Sequence, residues 1–87
     1  MEKRIIILGS TGSIGSRAID VICALGKGMK VVGLAAGENW KKLAEQAKKL
    51  MPQKVVIAEK KYYKRLADAL SGLPIDVAAG NEQVDAL

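Results

Sequence analysis

The sequence predicts an α/β fold, a parallel sheet with helices packed on it and built from βαβαβ units. Three observations carry that reading. Short apolar runs alternate with segments of helical periodicity about ten to fifteen residues long, the pattern of strands joined by helical crossovers. The runs are continuous rather than alternating, as in strands covered on both faces. The chain is 49% hydrophobic, yet its only aromatic residues are Trp40, Tyr62 and Tyr63, so the core must be aliphatic.

Arg4 to Leu8 opens the chain as a β-branched run ended by Gly9, the signature of a strand in the centre of a parallel sheet. From Ser13 a helix follows, with Ile14, Ala18, Ile19, Val21, Ile22 and Leu25 at helical spacing and Gly26 and Gly28 stopping it. Lys30 to Ala36 is the second strand. Asn39 caps a helix from Trp40 to about Leu50, whose stripe is Trp40, Leu43, Ala44, Ala47, Leu50 and Met51, and Pro52 ends it. Lys54 to Ala58 is the third strand, Glu59 to Leu70 the third helix, and Ile75 to Ala78 a short fourth strand. Asn81 then caps the first turns of another helix. That helix has no C-cap, so residues 1–87 read as one incomplete half-domain that stops inside its sheet.

Fourteen basic and nine acidic residues give a net charge of +5. Eight of the basic residues fall on the polar faces of two helices (Lys41, Lys42, Lys48 and Lys49; Lys60, Lys61, Lys64 and Arg65), and the fourteen form no stripe interleaved with aromatics. The expectation is a solvated surface with a general attraction for phosphorylated ligands, and no nucleic-acid partner. Cys23 is the only cysteine and falls in an apolar helical pattern, which predicts a small buried hydrophobe rather than a nucleophile. There is no histidine. No run approaches the ~18 apolar residues of a membrane span, and no signal peptide opens the chain. A cytoplasmic protein without a membrane partner is expected.

Chemistry concentrates in Gly9-Ser10-Thr11-Gly12-Ser13-Ile14-Gly15, between the first strand and the first helix. Gly9 leaves the strand in a conformation closed to side chains. Gly12 lets the backbone approach a pyrophosphate, and Gly15 lets helix and strand pack closely. Free amides and the dipole at the helix start make an anion site, to which the Thr11 and Ser13 hydroxyls add contacts. In this strand–turn–helix–strand context the motif predicts a Rossmann-like dinucleotide site; a purely structural turn is the alternative. Folds that bind NAD place an acidic residue at the end of the second strand, whereas this chain has Ala35-Ala36-Gly37. That favours NADP. Glu38, one residue on, either holds a ribose hydroxyl of NAD or points outward, and Lys41 and Lys42 lie one turn beyond it.

The run Ile6 to Gly15 with Ala18-Ile19-Asp20-Val21-Ile22, the segment Val31 to Asn39, and Gly80-Asn81-Glu82 followed by Leu87 resemble the start of the 1-deoxy-D-xylulose 5-phosphate reductoisomerase family. The resemblance is most specific in the first forty residues. It implies the NADPH-binding N-terminal part of an enzyme that converts 1-deoxy-D-xylulose 5-phosphate to 2-C-methyl-D-erythritol 4-phosphate in the non-mevalonate isoprenoid pathway. It further implies a phosphorylated sugar substrate, a divalent metal (Mg²⁺ or Mn²⁺) and a homodimer. Thr11, Gly12, Ser13 and Ile14 then cradle the cofactor, and Gly37 and Asn39 contact its adenosine end. The position between those two is often Lys or Arg in the family, and Glu38 departs from it. The metal ligands and catalytic groups fall beyond residue 87, and no acidic residue of this chain matches them, so the 87 residues alone are expected to be non-catalytic. A non-enzymatic nucleotide-binding module, an aspartate-semialdehyde dehydrogenase relative and a redesigned α/β fragment remain alternatives.

Overall fold

The computed structural model describes residues 3–25 and 28–87. Strands β1 (Lys3–Leu8), β2 (Met29–Ala36), β3 (Lys54–Ile57) and β4 (Asp76–Ala79) form one parallel sheet in the order β1-β2-β3-β4. Between them run α1 (Ser13–Leu25), α2 (Trp40–Leu50) and α3 (Tyr63–Ala69), the last preceded by a 3₁₀ turn at Lys60–Tyr62; α4 (Asn81–Asp85) follows β4.

Strand order advances in one direction, so right-handed crossovers place α1, α2 and α3 on one face of the sheet. The core lies there. Ile7, Val31, Leu34, Ala36, Val55 and Ile57 from the strands meet Ile19 of α1, Leu43, Ala44 and Ala47 of α2, and Leu66 of α3. Val31 and Leu34 are three residues apart yet share this face, which a regular strand forbids. The register explains it: Ile5 pairs with Val31 but Ile6 with Gly33, a bulge at Val32 that resets the alternation. On the opposite face Ala35 and Val56 are buried outside that core. A Cβ on Gly33 would meet Leu87 at 3.1 Å, so the segment after α4 folds over this side.

The α/β class, the parallel pairing and the helix spans hold closely. The differences have physical causes. Among the described residues β1 lies on one edge of the sheet, since β4 extends it beyond β3, and Ile6 and Leu8 are exposed. Ile7 alone in β1 is buried. Only one side of α1 packs on the sheet, through Gly15 and Ile19, so Ile14, Val21, Leu25 and Cys23 face outward. Cys23 is therefore exposed, not a buried hydrophobe. Met51 leaves the α2 stripe because it is the left-handed C-cap (φ 50°), its amide donating to the Ala47 carbonyl at 2.7 Å. The third helix begins as a 3₁₀ turn, and Gly80 rather than Asn81 caps α4. The stop assigned to Gly26 lies outside the described residues.

Candidate anion-binding site at the first strand–helix junction

In a parallel sheet every strand–helix turn emerges at the same rim, and here the turns after β1 and β2 are neighbours. Leu8 pairs with Ala35, and the Ser10 amide donates to the Ala35 carbonyl at 2.9 Å. The glycine-rich turn thus sits beside Gly37, Glu38 and Asn39.

Gly9 takes φ +68°, the left-handed region where side chains are unfavourable. That bend sends the chain over the sheet rim and brings α1 down onto it. Gly15 lies at the contact: a Cβ there would come within 2.8 Å of the Ser10 Cα and closer still to the Gly9 carbonyl oxygen. Only glycine permits this approach.

The Gly12 carbonyl accepts from the Ser16 amide at 2.9 Å, the first bond of the helical ladder, so Gly12 stands in the cap position. Having no side chain, it cannot accept from the first amides of α1, as a capping Ser, Thr, Asp or Asn would. Among the described residues, the amides of Ser13, Ile14 and Gly15 have no protein acceptor, and neither has that of Thr11. Two amides of the turn are already engaged: Ser10 with Ala35, and Gly12 with the Gly9 carbonyl at 3.0 Å. No acidic residue stands in the first turn of α1 to offset its dipole. Among the described residues, four donors at the turn and at the positive end of a thirteen-residue helix are thus met by no protein acceptor.

Beside these amides an open groove of about 550 Å³ runs along β1, lined by Leu8, Gly9, Gly12, Ser13, Ile14 and Gly15 among others. Gly12, Ser13 and Ile14 of the expected cofactor residues border it; Thr11, Gly37 and Asn39 do not. Ile14 is 85% exposed, an apolar surface at the mouth of the groove. Gly37 and Asn39 are exposed at the neighbouring turn. The Gly37 carbonyl accepts from the Glu59 amide at 3.0 Å, which ties this turn to the end of β3. The Asn39 side chain accepts from the Lys42 amide at 3.2 Å, so it caps α2 as its sequence position predicts. Glu38 is exposed and pairs with neither Lys41 nor Lys42; the Lys41 ammonium lies 5.8 Å from the centre of the Trp40 ring instead.

Beneath the turn is a contact that the sequence reading did not single out. Gln46 of α2 is buried, and its Nε2 donates to the Ser10 carbonyl at 2.8 Å; the Ser16 hydroxyl donates to the same oxygen at 3.4 Å. The available signal was a polar residue set among apolar ones, three beyond Leu43 and four before Leu50. Among the described residues no three Asp, Glu, Cys or His side chains gather as a metal site would require, and no helix is long and apolar enough to cross a membrane.

Comparison with known proteins agrees with this geometry. A family model described as 1-deoxy-D-xylulose 5-phosphate reductoisomerase matches residues 5–87. The reductoisomerase of Phocaeicola vulgatus is 49% identical over 80 residues, which cover 92% of this chain and 21% of that protein. That of Heliobacterium modesticaldum is 45% identical over 82 residues, with coverages of 92% and 21%. The solved structure of the Zymomonas mobilis reductoisomerase in complex with NADPH superposes with a TM-score of 0.93 at 34% identity, over 97% of this chain and 22% of that one. A reductoisomerase complex with NADPH, fosmidomycin and magnesium gives a TM-score of 0.87 at 25% identity, over 94% and 20% of the two chains. The chain spans about a fifth of the length of the curated relatives it matches.

Proposed function

The chain belongs to the 1-deoxy-D-xylulose 5-phosphate reductoisomerase family, and from that premise we propose that it is the NADPH-binding N-terminal part of such an enzyme, converting 1-deoxy-D-xylulose 5-phosphate to 2-C-methyl-D-erythritol 4-phosphate. One observation carries the reading: the unpaired amides of Thr11, Ser13, Ile14 and Gly15 at the uncapped start of α1. A diphosphate supplies the acceptors that Gly12 lacks. Each charged hydrogen bond of this kind contributes about 1.5–3 kcal/mol, enough for a few of them to fix the cofactor's position.

In this reading the Thr11–Gly15 backbone holds the diphosphate, the Ile14 side chain covers the adjoining part of the cofactor, and the Gly37–Asn39 turn meets the adenosine end. When bound, NADPH supplies a hydride; these 87 residues bind and orient it. Among the described residues no three Asp, Glu, Cys or His side chains gather to hold the divalent metal, Mg²⁺ or Mn²⁺, that the proposed reaction uses. The proposal extends to a phosphorylated sugar substrate, a homodimer and a cytoplasmic location, with neither nucleic acid nor membrane as partner.

Titration of the complete enzyme with NADPH, NADH and ADP tests the site. The reading requires saturable binding of NADPH, with ADP competing for it. Absence of binding by all three ligands would leave the glycine-rich segment a structural turn. Binding of NADH in preference to NADPH would assign Glu38 to a ribose hydroxyl and overturn the cofactor choice.

A further inference from the structure

We propose that Gln46 is a positioning residue for the cofactor, holding the glycine-rich turn in its diphosphate-binding form from beneath. The inference rests on the NADPH reading above. Ser10 and Thr11 share a trans peptide, in which the carbonyl and the next amide point in opposite directions. The Gln46 Nε2 draws the Ser10 carbonyl toward α2 at 2.8 Å, and Ser16 adds a weaker bond at 3.4 Å. The same peptide plane therefore turns the Thr11 N–H away from α2, and that amide is one of the four without a protein acceptor. A side chain thirty-six positions along the chain thus sets the direction of a ligand-facing donor.

The side chain's orientation is fixed by its chemistry. A carbonyl only accepts, so the amide nitrogen and not the oxygen must face Ser10. This leaves Gln46 Oε1 buried with no partner among the described residues, as is the Ser10 hydroxyl. A buried glutamine with half its hydrogen-bonding capacity unused is a poor device for stability. An apolar residue would fill the position on the α2 stripe at less cost, and the donated bond to the turn is what it would lack.

The test measures binding of two ligands to the complete enzyme: NADPH, which carries the diphosphate, and adenosine 2′-monophosphate, which does not. Gln46→Leu keeps the volume and removes the donor. The expected result is about tenfold weaker NADPH binding, the scale of one charged hydrogen bond, with adenosine 2′-monophosphate affinity within twofold of the parent. Gln46→Met keeps the length without a donor and should give the same split if the leucine variant folds poorly. Ser16→Ala should cost about twofold, in line with its longer bond. An unchanged NADPH affinity in both Gln46 variants overturns the inference, and so does an equal loss for both ligands, since that reports general loss of structure. A parent enzyme that binds no NADPH sinks the cofactor reading itself and this inference with it.

Discussion

At the scale of single residues, the account turns on what glycine and glutamate contribute near the turn. A Cβ at Gly15 would strike backbone atoms of Gly9 and Ser10, which no rotamer change relieves. Alanine favours a helix by about 1 kcal/mol over glycine, but overpacking of this kind costs about 1–3 kcal/mol or more. The expected outcome for Gly15→Ala is a net loss of up to about 2 kcal/mol, read from the urea midpoint of the complete enzyme, together with weaker NADPH binding. An unchanged midpoint would mean that α1 does not pack as closely as described. Glu38 presents a carboxylate at the turn proposed to meet the adenosine 2′-phosphate, with no lysine paired to it among the described residues. Glu38→Lys should tighten NADPH binding about tenfold, a reversal from repulsion to attraction at near-surface distances, and should leave NADH unimproved. Equal gains for both cofactors in calorimetric titration would place Glu38 away from that phosphate. These residues were legible in the sequence because glycine spacing and strand–turn–helix context report backbone geometry directly. Gln46 was not, because its meaning depends on α2 lying under the turn, a long-range contact that local patterning does not encode.

At the scale of elements, helix ends separate the two functions a terminus can have. The α2 start is closed by Asn39, whose side chain accepts from Lys42, and its end by the left-handed Met51. The α1 start is left open behind Gly12. Asn39 was readable as a cap because its chemistry is local. Met51 was not, since a non-glycine residue in that conformation gives no compositional signal. The short α4 is held differently. Glu82 lies in its first turn and pairs with Lys60 at 3.1 Å. Its own backbone amide and then the Lys60 ammonium hold its carboxyl below the usual carboxylate range. A carboxyl whose pKa is lowered by folding stabilises the folded form above the ordinary carboxylate pKa of ~4.3, and that contribution is lost as pH falls through the lowered value. Hydrogen exchange at Gln83 and Val84, whose amides donate to the Gly80 carbonyl, should therefore lose protection below about pH 4, and Lys60→Ala should weaken it at neutral pH. Protection independent of pH, after correction for intrinsic exchange, would show that the ion pair does not anchor α4.

At the scale of the whole molecule, the unpaired side of β1 dominates. Ile6 and Leu8 are exposed on that strand, and Ile14, Val21 and Leu25 on α1, near a row of backbone donors and acceptors that no strand pairs among the described residues. Such edges pair with other chains. The isolated 87-residue polypeptide is expected to self-associate, with Ile6→Lys and Leu8→Lys reducing it; a monomer at high concentration in sedimentation would contradict this. The sequence identified β1 as buried and central because its apolar run is continuous. That inference reads what the strand is suited to; among the described residues β2 alone pairs with it, because β4 joins β3. The diphosphate site lies at the other end of the same strand, where a structure of the complete enzyme with NADPH bound would reveal what the free amides hold. Diphosphate oxygens are expected about 3 Å from the amide nitrogens of Thr11, Ser13, Ile14 and Gly15. A diphosphate bound elsewhere, with those four amides turned to water or to protein oxygens, would contradict that expectation.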